Sequence, residues 1–423
     1  MPRFLTAQAG DAQAPSCQEL WQPIENFLED IPPLLSRGDR PLKMTFEQQL
    51  KSLILFHLEE HDSARHLLQV LKQDDFARSF IAPPEGIGRS SYGEALNTRG
   101  LEQLYFVYEK LQAQAALALP KAHAGLGELV AIDGTLIDAV SSMAWADYSS
   151  SSQKAKIHLG FDINRGIPGK VCLTEGKGDE KPMVPQLLSP GQTGVMDRNY
   201  QCYRNFDLWQ DEGRQFVCRI KAGAVKTCLE TYAVPESGPV FHDALMRLGA
   251  PRASQTQRPV RVVGYWVDSK QFWVATNRFD LPAADIALIY KLRWQIEKFF
   301  GWWKQHLNVY PLIARSPYGF MVQVLGGLIT YLLLAIYCHK HFQEKVSINR
   351  VRELRINIQN EARIPDNYPP DPCRQKKITP MQKPNRTLLA LVRFFREAPP
   401  QGPPQGEILT ALPIAAGLGR MNS

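Results

Sequence analysis

The segment DIALIYKLRWQIEKFFGWWKQHL, residues 285–307, gathers its chemically capable side chains on one line. At about 100° per residue, with Tyr290 taken as zero, Arg293 lies near about −60°, Glu297 near about −20° and Lys304 near about −40°. On the same scale Leu292, Ile296, Phe299 and Trp303 fall between about 180° and about 240°, so the core-facing side is opposite. A carboxylate set between a guanidinium, an ammonium and a phenol is a candidate functional stripe. A solvated face is the alternative, although such a face more often mixes signs in i, i+4 pairs and has no need of a tyrosine.

The spacing Y-x2-R-x3-E-x6-K at Tyr290, Arg293, Glu297 and Lys304 resembles the signature of one DDE transposase family of bacterial insertion sequences, the IS-four type. IDGT at 132–135 resembles that family's first-acid strand, and DRNYQCY at 197–203 resembles its D-x-G/A-x2-Y segment after the second acid. The family usually has a small residue where this chain has Asn199. The three motifs stand in the family's order, and the resemblance covers about 125–315. It implies an RNase H-like mixed α/β core with Asp133 on the central first strand. Asp197 would then follow the fourth strand, and Glu297 would sit on a helix packed against the sheet.

The resemblance also implies a DNA transposase, a Mg²⁺-dependent endonuclease and strand-transfer enzyme with Asp133, Asp197 and Glu297 as catalytic acids and metal ligands. Each step would attack a phosphodiester in line, first with water and later with a 3′-hydroxyl. Two Mg²⁺ ions about 3.5 to 4 Å apart stabilise the attacking and leaving oxygens in such reactions, and hard oxygen ligands hold them, with Mn²⁺ as a substitute. Asp133 would bridge both ions, with Asp197 and Glu297 each completing one site. Without metal, three converging carboxylates would repel one another and raise their pKa values. By the same resemblance Arg293 and Lys304 would contact DNA phosphates near the transposon end and Tyr290 would position the terminal phosphate. Arginine suits a forked contact and lysine a point charge. The implied partners are terminal inverted repeats and target DNA, bound by a homodimer on paired ends in the cytoplasm.

Other residues are weaker candidates. Lys156 and His158 lie on a strand face that could overlook the active site, although solvent exposure alone would give the same polar alternation. Asp138 reads as a cap or a surface acid. Trp266 and Trp273 suit either core packing or, by the resemblance, stacking of a flipped base during hairpin formation.

The order of elements must bring these residues together. Residues 1–44, with Pro32-Pro33 and Pro41, read as an irregular arm. Thr45 followed by Gln48 is a capping-box pattern that opens a helical segment, 45–122, expected to bind DNA. Within it, a third helix is predicted from about Tyr92 through Leu101 to Leu111. Residues 123–221 read as strand, hairpin, helix, strand, helix, strand, the first part of the core. In KAKIHLGFDI, Ala155, Ile157, Leu159, Phe161 and Ile163 share one face. Residues 222–278 read as a β-rich insertion with a hairpin at Asp268-Ser269-Lys270, and 279–345 as the Glu297 helix, one long helix from Pro282 to about Leu307, followed by a core helix. A basic region with a helix-like NRTLLALVRFFRE follows at 346–397, then a Pro-, Gly- and Gln-rich tail at 398–423, expected to be disordered.

Composition narrows the classes. A chain of 423 residues with 44% hydrophobic content can bury a sizeable core in two or three domains. Its seven cysteines form no CxxC pair and no zinc-like cluster, which fits a reducing cytoplasm, and the N-terminus lacks a secretory apolar run. The formal charge of +7 is concentrated late: from Arg315 onward 15 Lys and Arg face 7 Asp and Glu, as phosphate binding requires, though a solvated tail gives the same count. Residues 320–338 carry no formal charge over about the length that spans a bilayer. Gln323, Thr330 and the adjacent polar helix favour a buried core helix instead, and no membrane partner is expected. Two competing functions remain: a non-catalytic DNA-binding derivative acting as a repressor, and a nuclease lacking strand transfer.

Overall fold

Leu20, Trp21 and Ile24 recur at helical spacing and are buried in helix α1 (Cys17–Glu25) of the computed structural model, which describes residues 17–34, 41–59, 61–234 and 236–361. This corrects the expectation of an irregular arm over 1–44, at least for 17–25. A proline inside a helix costs about 3 kcal/mol, and burial of those three side chains offsets the cost at Pro23. The helix-like NRTLLALVRFFRE and the tail at 398–423 lie outside the described residues.

Thr45 closes a full capping box on α2 (Phe46–Leu58): its hydroxyl accepts from the Gln48 N–H at 3.2 Å, and the Gln48 side chain accepts from the Thr45 N–H at 3.0 Å. Ser63 caps α3 (Ala64–Gln73). The single helix predicted from Tyr92 is two helices, α4 (Arg89–Thr98) and α5 (Leu101–Ala118). Gly100 breaks them, with φ +87° and a Gln49 side-chain oxygen 2.7 Å from where a Cβ would stand.

Next come β1 (Leu129–Ala139), β2 (Asp147–Ser149), β3 (Ser152–Asp162), β4 (Ile167–Glu175), the short α6 (Val184–Leu187) and β5 (Thr193–Met196). They are followed by α7 (Tyr203–Asp211), β6 (Gln215–Arg219), β7 (Lys226–Thr231), β8 (Val240–Leu248), β9 (Val260–Val267) and β10 (Lys270–Thr276). Helices α8 (Ala283–Leu292), α9 (Trp294–His306), α10 (Pro317–Phe342) and α11 (Ile348–Glu361) complete the described chain.

All ten strands join one mixed, mostly antiparallel sheet of order β2-β3-β1-β5-β6-β10-β9-β8-β7, with β4 paired to β3. Among the described residues only β1 with β5 and β5 with β6 run parallel. The β9–β10 hairpin turns at Asp268-Ser269, and β10 lies antiparallel on β6, so residues 222–278 continue the core sheet. Helices cover both faces. Ala131, Ile157, Leu159 and Phe161 face Ile296, Phe299 and the α10 core, whereas Val130, Ile132 and Phe216 face Val184, Phe206 and Trp209.

Among the described residues one helix, α10, is long and apolar enough to cross a membrane, and 89% of its apolar window is buried inside the protein. It packs on α2, α4 and α5. His57 of α2 sits between the Leu307 and Gln323 carbonyl oxygens, at 2.7 and 2.9 Å, and pins α2 to α10 and to the end of α9.

The strands β8 and β9 carry a buried ion pair. Asp243 accepts two hydrogen bonds from Arg261, at 2.8 and 2.7 Å, with both side chains less than a tenth exposed. Arg261 also donates to the Arg278 and Leu281 carbonyl oxygens, at 3.1 and 2.6 Å, on the segment leading into α8.

Candidate active site

The parallel ladder between β1 and β5 ends at Ala131 and Val195. Asp133 and Asp197 each stand two residues beyond that last pair, so both acids flank the gap where the two strands part. Alternation along β1 puts Asp133 on the face of Ala131 and Ile137, the same face that α9 covers. Asp197 caps a short 3₁₀ turn, Arg198–Tyr200, and accepts from the Asn199 N–H at 2.8 Å. The turn uses the backbone of Asn199, whose side chain is exposed and whose φ is not left-handed, so a small residue is not required there.

The predicted helix from Pro282 to Leu307 is broken at Arg293, between α8 and α9. Arg293 N–H donates to the Tyr290 carbonyl at 3.2 Å and Ile296 N–H to the Arg293 carbonyl at 3.1 Å, both i to i−3 contacts. A 3₁₀ turn tightens the winding to about three residues, so the straight-helix angles hold within α9 but shift across the break. Ile296, Phe299 and Trp303 are buried against the core, as their spacing requires.

Arg293 joins two of the acids. Its guanidinium donates to Glu297 at 2.5 Å and lies 3.6 Å from the second oxygen of Asp133. The other Asp133 oxygen accepts from the Gly134 N–H at 2.9 Å. Arg293 also lies over the buried Tyr290 ring at 5.8 Å. Lys304 is turned toward the sheet and donates to the Leu136 carbonyl of β1 at 2.8 Å. Arg293, Glu297 and Lys304 thus lie on the β1 side of α9, whereas Tyr290, on α8 before the break, has its ring 6.3 Å from that of Phe272 on β10. Asp197 acts on Asp133 through its field.

Burial raises the Asp133 carboxyl from its ordinary range to about 7; Arg293 and the Gly134 N–H oppose the rise, and Asp197 and Glu180 add to it. An acid whose folded pKa lies above its unfolded one stabilises the fold below the unfolded value and loses that contribution as pH rises through the folded value. The metal-free protein is therefore expected to lose stability between about pH 4 and about pH 7, a loss that Asp133→Asn removes. Each pKa unit corresponds to about 1.4 kcal/mol, so at about pH 8 the variant should be the more stable by on the order of 2–4 kcal/mol. Thermal unfolding in a chelator measures this, and a variant less stable than the parent at that pH would refute it.

Among the described residues no three acidic, histidine or cysteine side chains stand at metal-holding separation. The donor set nonetheless suits a hard divalent cation, since it is made of carboxylates, and the Arg293 guanidinium stands in for positive charge between Asp133 and Glu297.

The structure adds Glu180 and Tyr200, which helical or strand periodicity does not single out. Glu180 lies just before α6, 3.4 Å from the Lys156 ammonium, and its field reaches Asp133. The adjacent acids Asp179-Glu180 ahead of an apolar turn are the one signal in the sequence. His158 is fully buried, bonded to the Thr174 hydroxyl at 2.8 Å, and burial lowers its pKa to about 4. Asp138 is an exposed acid paired with Lys154. Trp266 is exposed with its ring 5.2 Å from Phe241, and Trp273 packs between Phe241 and His242 with the Lys226 ammonium 4.9 Å from its centre.

Residues 124–333 match the family described as Transposase DDE domain, which includes every position of the three motifs. Over 290 residues the chain is 26% identical to "Probable transposase for insertion sequence element IS5377" of Geobacillus stearothermophilus, covering 65% of this chain and 75% of that protein. It is 27% identical over 218 residues to "Putative transposase y4zB" of Sinorhizobium fredii, covering 50% of this chain and 61% of that protein. It is 25% identical over 225 residues to "Putative transposase for insertion sequence element IS4SA" of Synechocystis, covering 49% and 60%. Residues 124–333 are thus a Transposase DDE domain, and the chain is similar to proteins named as transposases. Proteins of this kind act on DNA and use divalent cations.

Proposed function

We propose that the protein is an IS-four type transposase that cuts phosphodiester bonds at its element's terminal inverted repeats and joins the freed ends to target DNA. Asp133, Asp197 and Glu297 are its catalytic acids. The observation that supports this most directly is the placement of Asp133 and Asp197 two residues beyond the last β1–β5 pair, with Arg293 tying Glu297 to Asp133. On this reading the core is RNase H-like and residues 222–278 are its insertion.

Asp133, Asp197 and Glu297 would hold Mg²⁺ or Mn²⁺, which supplies charge stabilisation for the attacking and leaving oxygens. The protein's own side chains do the rest. Arg293 keeps Asp133 and Glu297 oriented and offers its fork to a phosphate; Tyr290 backs the guanidinium; Lys304 fixes the height of α9 against β1 and presents a second cation. The helical segment 45–122 would contact DNA. Arg65, Arg89 and Arg315 line a cleft of about 540 Å³ between α3, α4 and the segment before α10, as a phosphate backbone requires. Two copies on paired ends, acting on DNA in the cytoplasm, complete the reading.

The test supplies uncut element ends in one arm and precleaved ends with a free 3′-hydroxyl in the other, each with a target plasmid and Mg²⁺. Joined products are expected. Cleavage of uncut ends with no joining would reduce the protein to a nuclease, and end binding with neither reaction would make it a repressor.

A further inference from the structure

Glu180 stands on the opposite face of β1 from the Asp133 side chain. A Cβ at Gly134, the residue after Asp133, would lie 2.9 Å from a Glu180 carboxylate oxygen and 3.4 Å from Lys156 Cδ. The glycine therefore leaves the space into which Glu180 reaches, so the acid approaches β1 at the same level as Asp133. Lys156 holds it only loosely, at 3.4 Å, because the ammonium already donates to the Gly178 carbonyl at 2.9 Å. Both partners are well covered, with the Glu180 side chain 20% exposed.

Tyr200 supplies a second, independent observation. It is fully buried three residues after Asp197, in the cluster that also holds Val184 and Ile132. Its hydroxyl lies in the combined field of Glu180, Asp133 and Asp197, yet makes no hydrogen bond of normal geometry among the described residues. A buried hydroxyl with no partner in normal geometry costs roughly 1–3 kcal/mol, and Glu180 is the carboxylate that acts on this one at hydrogen-bonding range.

We propose that Glu180 is a fourth carboxylate of the cation-binding site, with Tyr200 as its positioning partner. This rests on the reading of Asp133 and Asp197 as metal ligands. The gap where β1 and β5 part is then lined by acids from both faces of the sheet: Asp133 and Glu297 on the α9 side, Glu180 on the α6 side, and Asp197 at the rim. Tyr200 donates to Glu180 and keeps its second oxygen turned toward the gap, and Lys156 limits the repulsion while the site is free of cation. Residues that orient metal ligands in this way change metal affinity by about 10- to 100-fold when removed.

Mn²⁺ binding to the full chain, followed by titration calorimetry and by the loss of the free-ion electron paramagnetic resonance signal, tests this without relying on turnover. Glu180→Gln is expected to weaken binding about tenfold with no fall in melting temperature. Tyr200→Phe should weaken it less, and Glu180→Asp should recover part of the loss. Lys156→Met should bind at least as tightly as the parent, because it removes a competing cation. If Glu180→Gln binds Mn²⁺ within about twofold of the parent while Asp133→Asn and Asp197→Asn abolish binding, Glu180 only serves the pair with Lys156 and the inference is overturned. If the two aspartate variants bind Mn²⁺ as the parent does, the assignment of those acids is itself wrong.

Discussion

Asp133→Asn, Asp197→Asn and Glu297→Gln are each expected to lower end cleavage by on the order of a thousandfold or more, with the fold intact. The three substitutions keep side-chain volume and remove one negative charge. Asp133 sits on a strand buried on both faces, and Glu297 sits on a helix whose opposite side is packed into the core, so neither can be replaced by movement of a neighbour. Residues acting as one unit lose function together, so a double variant should be little worse than either single one. The measurement is cutting of a duplex carrying the element's ends in Mg²⁺. Cleavage within about tenfold of the parent for any one variant would remove that acid from the assignment.

Much of this arrangement is legible from residue types. The capping box at Thr45, the alternation through β3 and the apolar side of α9 follow from spacing and appear where spacing puts them. The nearness of Asp133 to Glu297 is not a local property: it depends on α9 crossing β1, 160-odd residues apart in the chain, and only the family resemblance anticipates it. Three features stay hidden for physical reasons. The break at Arg293 leaves no mark because no glycine or proline causes it; two i to i−3 bonds do. Helix α1 is masked by Pro23, whose cost is outweighed by long-range burial against α5 and α10. Glu180 lies in a short irregular stretch where no period exists to single it out, and its place beside Asp133 depends on the absence of a side chain at Gly134.

The second large effect is on stability and falls far from the acids. Asp243→Ala leaves Arg261 charged and buried with one of its two kinds of partner gone, and breaking such a pair from one side costs about 3–5 kcal/mol. The damage is not confined to β8 and β9. Arg261 also holds the carbonyls of Arg278 and Leu281, and Arg278 in turn donates to the Leu126 carbonyl and the Thr193 hydroxyl, at 3.0 and 2.8 Å. These contacts tie the start of α8 to the beginnings of β1 and β5. Chemical denaturation of Asp243→Ala should show the full loss, and cleavage should fall further than the unfolded fraction explains, because α8 leads directly into Arg293 and Glu297. Replacing both partners, as in Asp243→Leu with Arg261→Met, should recover most of the stability. A single variant as stable as the parent would show that the pair carries no such role.

The pairing of β10 with β6 bears on how this protein could be divided or recombined with its relatives. A segment that merely looped out of the core could be shortened or exchanged at its two ends. Here the last strand of the excursion is the neighbour that seals β6, and without it the backbone N–H and C=O groups of β6 would form an open sheet edge, the usual template for association between chains. A natural boundary for exchange therefore lies out at the connection between β7 and β8, at the outer edge of the sheet, and variation in length among relatives is best accommodated there; the β8–β9 connection is held to α7 through Asp207 and Asp211.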